Sequence, residues 1–137
     1  TYNCPQVEIQ GFVDLQAGGG SRKELIISQS LVLKPGSQLN VRTGGGLTVN
    51  KIISSDSISS IILDAARLVF TSTATSQYLF YNAAGTGYGR GRVIVRGQSE
   101  LMVNTASSKL MVTPESAFIF ESGARLKLNP STKLVIY

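Results

Sequence analysis

The chain has 137 residues and a mass of 14.6 kDa, the size of one domain with enough length to bury a core. Hydrophobic residues make up 42% and charged ones only 15%, against roughly 25% in an ordinary soluble domain, which excludes a disordered polyelectrolyte. Histidine is absent, which removes Ser-His-Asp and Cys-His nucleophiles, imidazole metal sites and histidine pH switches; the net charge of +5 suits attraction to polyanions.

In chain order, the first feature is Cys4, the only cysteine, so no intrachain disulfide framework exists. A thiol there is an ordinary structural residue or, in functional readings, a link between subunits or a lipid attachment point. No charged segment followed by an apolar one opens the chain, so any signal peptide is expected to have been removed. No apolar run approaches the roughly 18 residues of a membrane span. Val7 with Ile9 and Val13 with Leu15 then read as opening strands, ahead of a break at Gly18-Gly19-Gly20, and Leu25-Ile26-Ile27 follows the break.

From there a beat sets in. Apolar residues come in doublets separated by one position: Leu31/Leu33, Leu39/Val41 and Leu47/Val49, each doublet 8 residues after the last. Alternation with period two puts both members of a doublet on one face of a short strand and the residue between them on the other. Corners such as Lys34-Pro35-Gly36-Ser37-Gln38 and Arg42-Thr43-Gly44-Gly45-Gly46 carry the glycine and proline that break strands and turn the chain. The stretch from Lys51 to Gly91 is less regular. Ile52-Ile53, Ile58, Ile61-Ile62-Leu63 and Leu68-Val69-Phe70 continue the pattern with longer corners, and Asp64-Ala65-Ala66-Arg67 has only modest helical character. Thr71, Thr73 and Thr75 alternate as a single row of an ice-binding face would, but one row makes no face. Tyr78 to Tyr81 is an aromatic strand, and Asn82 to Gly91 a glycine-rich loop.

The beat resumes in Val93/Val95, Leu101/Val103, Leu110/Val112, Phe118/Phe120, Leu126/Leu128 and Leu134/Ile136, at spacings of 8, 9, 8, 8 and 8. Nine doublets on nearly one period, shorter than sandwich strands and with no Asn-Gly or Asp-Gly turn between them, predict a coil of strands. The expected fold is all-β: one domain over 1–137, a short parallel β-solenoid with about eight residues per side and three sides per turn. The alternative is a β-sandwich, jelly roll or barrel. Three sides make a turn of about 24 residues and about five rungs at roughly 4.8 Å each. Leu110 is then expected to stack on Leu134, Leu101 near Leu126, and Val93 near Phe118. The last apolar run, Leu134-Val135-Ile136-Tyr137, carries no polar cap, so its edge is expected to pair with further chain or with another molecule.

The phrases from Leu31 to Val41, L-V-L-K-P-G-S-Q-L-N-V, and from Ala124 to Ile136, A-R-L-K-L-N-P-S-T-K-L-V-I, resemble the rungs of secreted bacterial parallel β-helix proteins. Units of the form L-x-V/L-x-P-G-S/T-x-L-x-V recur there in surface adhesins and filament stalks, especially of the Bacteroidetes type. The resemblance covers about two thirds of the chain and implies fold and an extracellular or cell-surface location. It carries over no catalytic residue, because the motif contains none.

Chemistry is sparse. The eight acids, Glu8, Asp14, Glu24, Asp56, Asp64, Glu100, Glu115 and Glu121, form no dense cluster of the kind calcium sites or acid–base pairs need. Gly85-Thr86-Gly87-Tyr88-Gly89-Arg90-Gly91-Arg92 fails the dinucleotide-binding G-x-G-x-x-G pattern because Arg90 stands at its last glycine. No enzyme activity, cofactor or metal is expected. The leading expectation is a secreted structural module that self-assembles into a filament, stalk or shell, with subunit contacts at Tyr2, Cys4, Val7, Ile9, Leu134, Ile136 and Tyr137. The alternative is an adhesin or fibre domain that binds glycan or another polyanion through Tyr78, Tyr81, Tyr88, Arg90, Arg92 and Arg96; nucleic acid is not the expected partner.

Overall fold

A computed structural model describes residues 1–17, 23–72, 76–103, 109–128 and 131–137. The Gly18-Gly19-Gly20 break, Thr73 and Thr75 of the threonine row, and the Asn129-Pro130 corner lie outside the described residues. Every pairing between named strands is parallel, and each strand's partner lies one turn away in sequence. A sandwich of hairpins would require antiparallel neighbours. The molecule is a parallel β-solenoid of about five turns, with no helix among the described residues and hence none long and apolar enough to cross a membrane.

The chain passes three faces in each turn. β1 (Tyr2–Ile9), β3 (Lys23–Leu33) and β5 (Gly45–Asp64) are long because each bends from one face onto the next without leaving the ladder. Register shifts between Cys4 and Gln6, and between Ile27 and Ser30, mark those bends. The first face runs β1, β3, β5, β6 (Arg67–Phe70), β9 (Gln98–Val103) and β12 (Arg125–Lys127). The second carries β2 (Phe12–Leu15), β4 (Gln38–Val41), the end of β5, β8 (Arg90–Arg96) and β11 (Ser116–Phe120). On the third, the C-terminal ends of β1 and β3 and the middle of β5 lie above β7 (Ser76–Tyr78), β10 (Lys109–Val112) and β13 (Lys133–Ile136).

The doublets point inward and stack. Leu25, Leu47, Leu68 and Leu101 succeed one another in register on the first face, beneath Tyr2, and Ile27, Val49, Phe70 and Val103 form the column beside them. Leu39, Ile61 and Val93 do the same on the second, with Phe118 next in line. Leu47, Leu68, Leu101, Ile61 and Val93 are fully buried. Stacking like on like gives each side chain two neighbours of matching shape and keeps a three-sided interior filled.

Leu110 pairs with Leu134 and Val93 with Phe118, as the 24-residue period predicts. Leu101 does not meet Leu126: the turn between them is longer than the beat, and Leu126 lies in register with Ser99. Turn length in fact varies, from 21 residues between Leu47 and Leu68 to 33 between Leu68 and Leu101. The corners absorb the difference. Asp64-Ala65-Ala66 is such a corner and not helical: Ala65 takes a left-handed φ of 49°.

Some inward positions are polar, among them Ser54, Gln77 and Ser99. Gln77 is opposite Leu110 and only 1% exposed; its Nε2 donates to the Asn50 carbonyl at 3.4 Å, while its Oε1 is buried with no hydrogen-bond partner among the described residues. An orphaned buried acceptor costs about 1–3 kcal/mol. Gln77→Met keeps the shape and removes the orphan, so a denaturant titration should show about 1 kcal/mol of added stability.

Candidate functional site

The 33-residue turn carries the feature that departs most from a regular rung. After β7 the chain stays on the third face through Tyr81, whose backbone donates to the Ile52 carbonyl at 2.8 Å. It then leaves in a tight excursion over Asn82–Gly89 and re-enters the ladder at Arg90; Arg90 and Gly91, read from sequence as loop, belong to β8. The excursion is closed on itself. Asn82 N–H donates to the Gly87 carbonyl at 2.9 Å, Gly85 N–H to the Asn82 carbonyl at 2.9 Å, and Thr86 N–H to Asn82 Oδ1 at 3.3 Å. Tyr81 and Tyr88 form an antiparallel bridge at its base.

Two contacts pin it to the coil. Lys51 Nζ donates to the Gly85 carbonyl at 2.9 Å and lies 4.7 Å from the centre of the Tyr81 ring, a cation–π placement that holds the loop over the third face. Gly89 N–H donates to the Phe80 carbonyl at 2.8 Å. The glycine is required there, because a Cβ would overlap the carbonyl oxygens of Ser54 and Tyr81.

The result is a cluster of three tyrosines on the outer surface. The Tyr78 ring meets Tyr81 edge-on at 5.3 Å and Tyr88 at 6.2 Å. Tyr78 points outward because it lies between the buried Gln77 and Leu79, and it is in register with Met111, which in turn is in register with Val135. Tyr88 divides two clefts. One, of about 330 Å³, is lined by Tyr78, Tyr88, Met111, Thr113, Pro114 and Tyr137; the other, of about 420 Å³, by Ser55, Asn82, Gly87, Tyr88, Gly89 and Arg90. Burial pushes the Tyr81 hydroxyl above the usual phenol value, outweighing a hydrogen bond to the Tyr78 backbone that acts the other way. A raised value in the folded state means that the stabilising contribution is complete below the unfolded phenol value of about 10 and is lost as pH rises through the folded one. An ultraviolet titration should therefore show a step above the usual phenol range, and Tyr81→Phe should remove it.

The candidate arginines are engaged within the chain. Arg90 pairs with Glu115, Arg96 Nε donates to Glu121 Oε2 at 2.6 Å, and Arg92 donates to Ser60 Oγ at 3.2 Å and to the Ile58 carbonyl at 3.4 Å. The Glu121 carboxylate holds the Arg96 guanidinium more firmly protonated than usual. The structure thus brings Tyr78, Tyr81, Tyr88 and Arg90 together, and separates from them Arg92, which turns to Ser60 and Ile58, and Arg96, at the far end of β8. Met111, Thr113, Pro114 and Tyr137 join the cleft from the following turns. Sequence reasoning missed them because their proximity depends on the 33-residue turn, although Met111 stands out as an apolar residue at an outward position of a doublet.

The candidate subunit contacts lie at the two ends. Tyr2 is 70% exposed at one end, with Cys4 and Val7 half-buried and Ile9 already buried; at the other, Ile136 and Tyr137 are each 70% exposed and Leu134 half-buried. Around that second end Phe118 and Phe120 stack at 5.4 Å, with Phe120 and Leu128 exposed. Among the described residues no group of three or more Cys, Asp or Glu is placed to hold a metal ion. The fold defines the chain as a parallel β-solenoid. No protein family, no curated protein and no solved structure matches it.

Proposed function

We propose that this chain is a non-enzymatic structural module of a secreted surface filament, stalk or shell, in which copies stack end to end. The observation that carries the reading is the apolar rim of the last turn. Phe120, Leu128 and Ile136 occupy doublet positions whose counterparts in earlier turns are fully or almost fully buried, and here they are exposed. Beside them run the outer edges of β11, β12 and β13, and at the opposite end those of β1 and β2, which pair with no further strand among the described residues.

A further rung laid on either end gives these edges backbone partners and covers the apolar rim, which is strand addition between molecules. All strands run parallel, so the two ends differ and a copy joins head to tail. Such a contact is heterologous and does not close, and it generates filaments in place of dimers. With 15% of residues charged, few ions need be desolvated on stacking, while the net charge of +5 opposes it and is screened by salt. The resemblance of the rungs to surface adhesins and filament stalks supports the extracellular setting.

The test is sedimentation of the purified chain over a wide concentration range. Mass should grow with concentration without a plateau, and Ile136→Lys with Phe120→Lys should hold the protein monomeric while leaving its β spectrum unchanged. A wild-type chain that stays monomeric throughout contradicts the proposal.

A further inference from the structure

We propose that the tyrosine cleft on the third face is a binding site for a neutral oligosaccharide, with one pyranose ring stacked on Tyr88. The cleft opens on the side of the coil and meets the stacking end at Tyr137, so the binding test alters Tyr88, which lies away from the end strands.

The lining argues for sugar over a peptide or a lipid. The walls of the apolar half are Tyr78, Tyr88 and Tyr137, with Met111, Pro114 and Thr113, and they enclose about 330 Å³, room for one to two sugar rings. Tyrosine presents a flat apolar face together with a hydroxyl, as a pyranose presents a flat C–H face edged by hydroxyls. A lipid chain would call for a wider aliphatic lining. Across Tyr88 the second cleft is edged by Asn82, Ser55 and the backbone of Gly87 and Gly89. These supply the mixed donors and acceptors that sugar hydroxyls need, on the other side of the shared Tyr88. The rings are also held ready: Tyr78 packs edge-on against both Tyr81 and Tyr88, and the loop that carries Tyr88 is pinned by Lys51 and Gly89. A site ordered before binding loses less conformational entropy on binding.

Charge decides between neutral and acidic sugars. Arg90, the one arginine in the cleft lining, is already compensated by Glu115, and Lys51 is committed to the Gly85 carbonyl and the Tyr81 ring. The cleft therefore offers no uncommitted cation to a sulfate or uronate, despite the chain's net charge of +5.

The chain has no tryptophan and five tyrosines, so its tyrosine fluorescence reports on this cleft directly. The probes are hexasaccharides of α- and β-linked glucose, mannose and galactose, titrated at low and high salt, with heparin alongside. At least one neutral oligosaccharide should bind with an affinity that salt leaves unchanged. Tyr88→Ala should weaken it about tenfold or more, since one aromatic stacking contact is worth about that factor. Tyr2→Ala should leave the affinity as it is, and the Tyr88 variant should keep its β spectrum and a cooperative melt, lowered by about a few degrees through the lost edge-on contact with Tyr78. No response to any of the neutral probes, binding of heparin alone with loss at high salt, or an unchanged affinity in the Tyr88 variant would each overturn the proposal.

Discussion

Leu68→Asp should abolish the folded coil. Leu68 lies in the middle of the column formed by Leu25, Leu47, Leu68 and Leu101, and no part of it reaches solvent. A carboxylate there has neither a cationic partner nor water, and the cost of about 4 kcal/mol or more is comparable with the whole stability of a domain this size. Circular dichroism should show loss of the β signal, or a melting transition below ambient temperature. Lys127→Asp, on an exposed outward position of β12, should change stability by no more than about 0.5 kcal/mol. The contrast between the two isolates inward from outward facing, because both put the same carboxylate on the ladder of the first face.

Gly89→Ala should have the second largest effect. The added methyl group meets two backbone carbonyl oxygens, those of Ser54 and Tyr81, and neither can rotate away as a side chain could. Relief requires the excursion to lift off the third face. That breaks the Gly89–Phe80 and Tyr81–Tyr88 backbone pairings and carries Tyr88 away from Tyr78. Overpacking of this kind costs about 1–3 kcal/mol. The loss should appear as a lower midpoint in denaturant, together with altered tyrosine emission from the cluster. Gly36→Ala makes a useful comparison: nothing lies within 4 Å of a Cβ there, so only its left-handed φ of 74° is strained, and the loss should be smaller.

Much of this architecture was legible in the residues because a coil repeats its own chemistry. Val93 and Val95, Leu39 and Val41, and Leu110 and Val112 announce inward positions by alternation alone, and their even spacing identifies which strands stack. Spacing fails where corners vary. Leu126 sits beside Ser99 and not Leu101 because corner length is set by local turn chemistry, which leaves no periodic trace. Gln77 shows a second limit, since a glutamine at an inward position breaks the apolar alternation that marks the others. The tyrosine cleft was half legible. Tyr78, Tyr81 and Tyr88 are near in sequence, but the arginines' acidic partners, Glu115 and Glu121, arrive from the next turn and alter what the cluster can attract.

The surface charges contribute little to stability. Pairs such as Arg42 with Asp14 and Arg96 with Glu121 are half-exposed and lie between successive turns. Each is worth about 0–1 kcal/mol and is screened by salt, so the register is set by the buried face and not by these pairs. Stability rests on the inward columns, and the proposed growth rests on the exposed apolar side chains of Phe120, Leu128 and Ile136.

Electron cryo-microscopy of concentrated protein tests that growth most directly. Between five and six turns at about 4.8 Å each predict unbranched rods whose subunits repeat axially every roughly 25–29 Å, with strands running across the rod axis. Discrete particles of one subunit, or paired subunits related by a two-fold axis, would contradict the head-to-tail account.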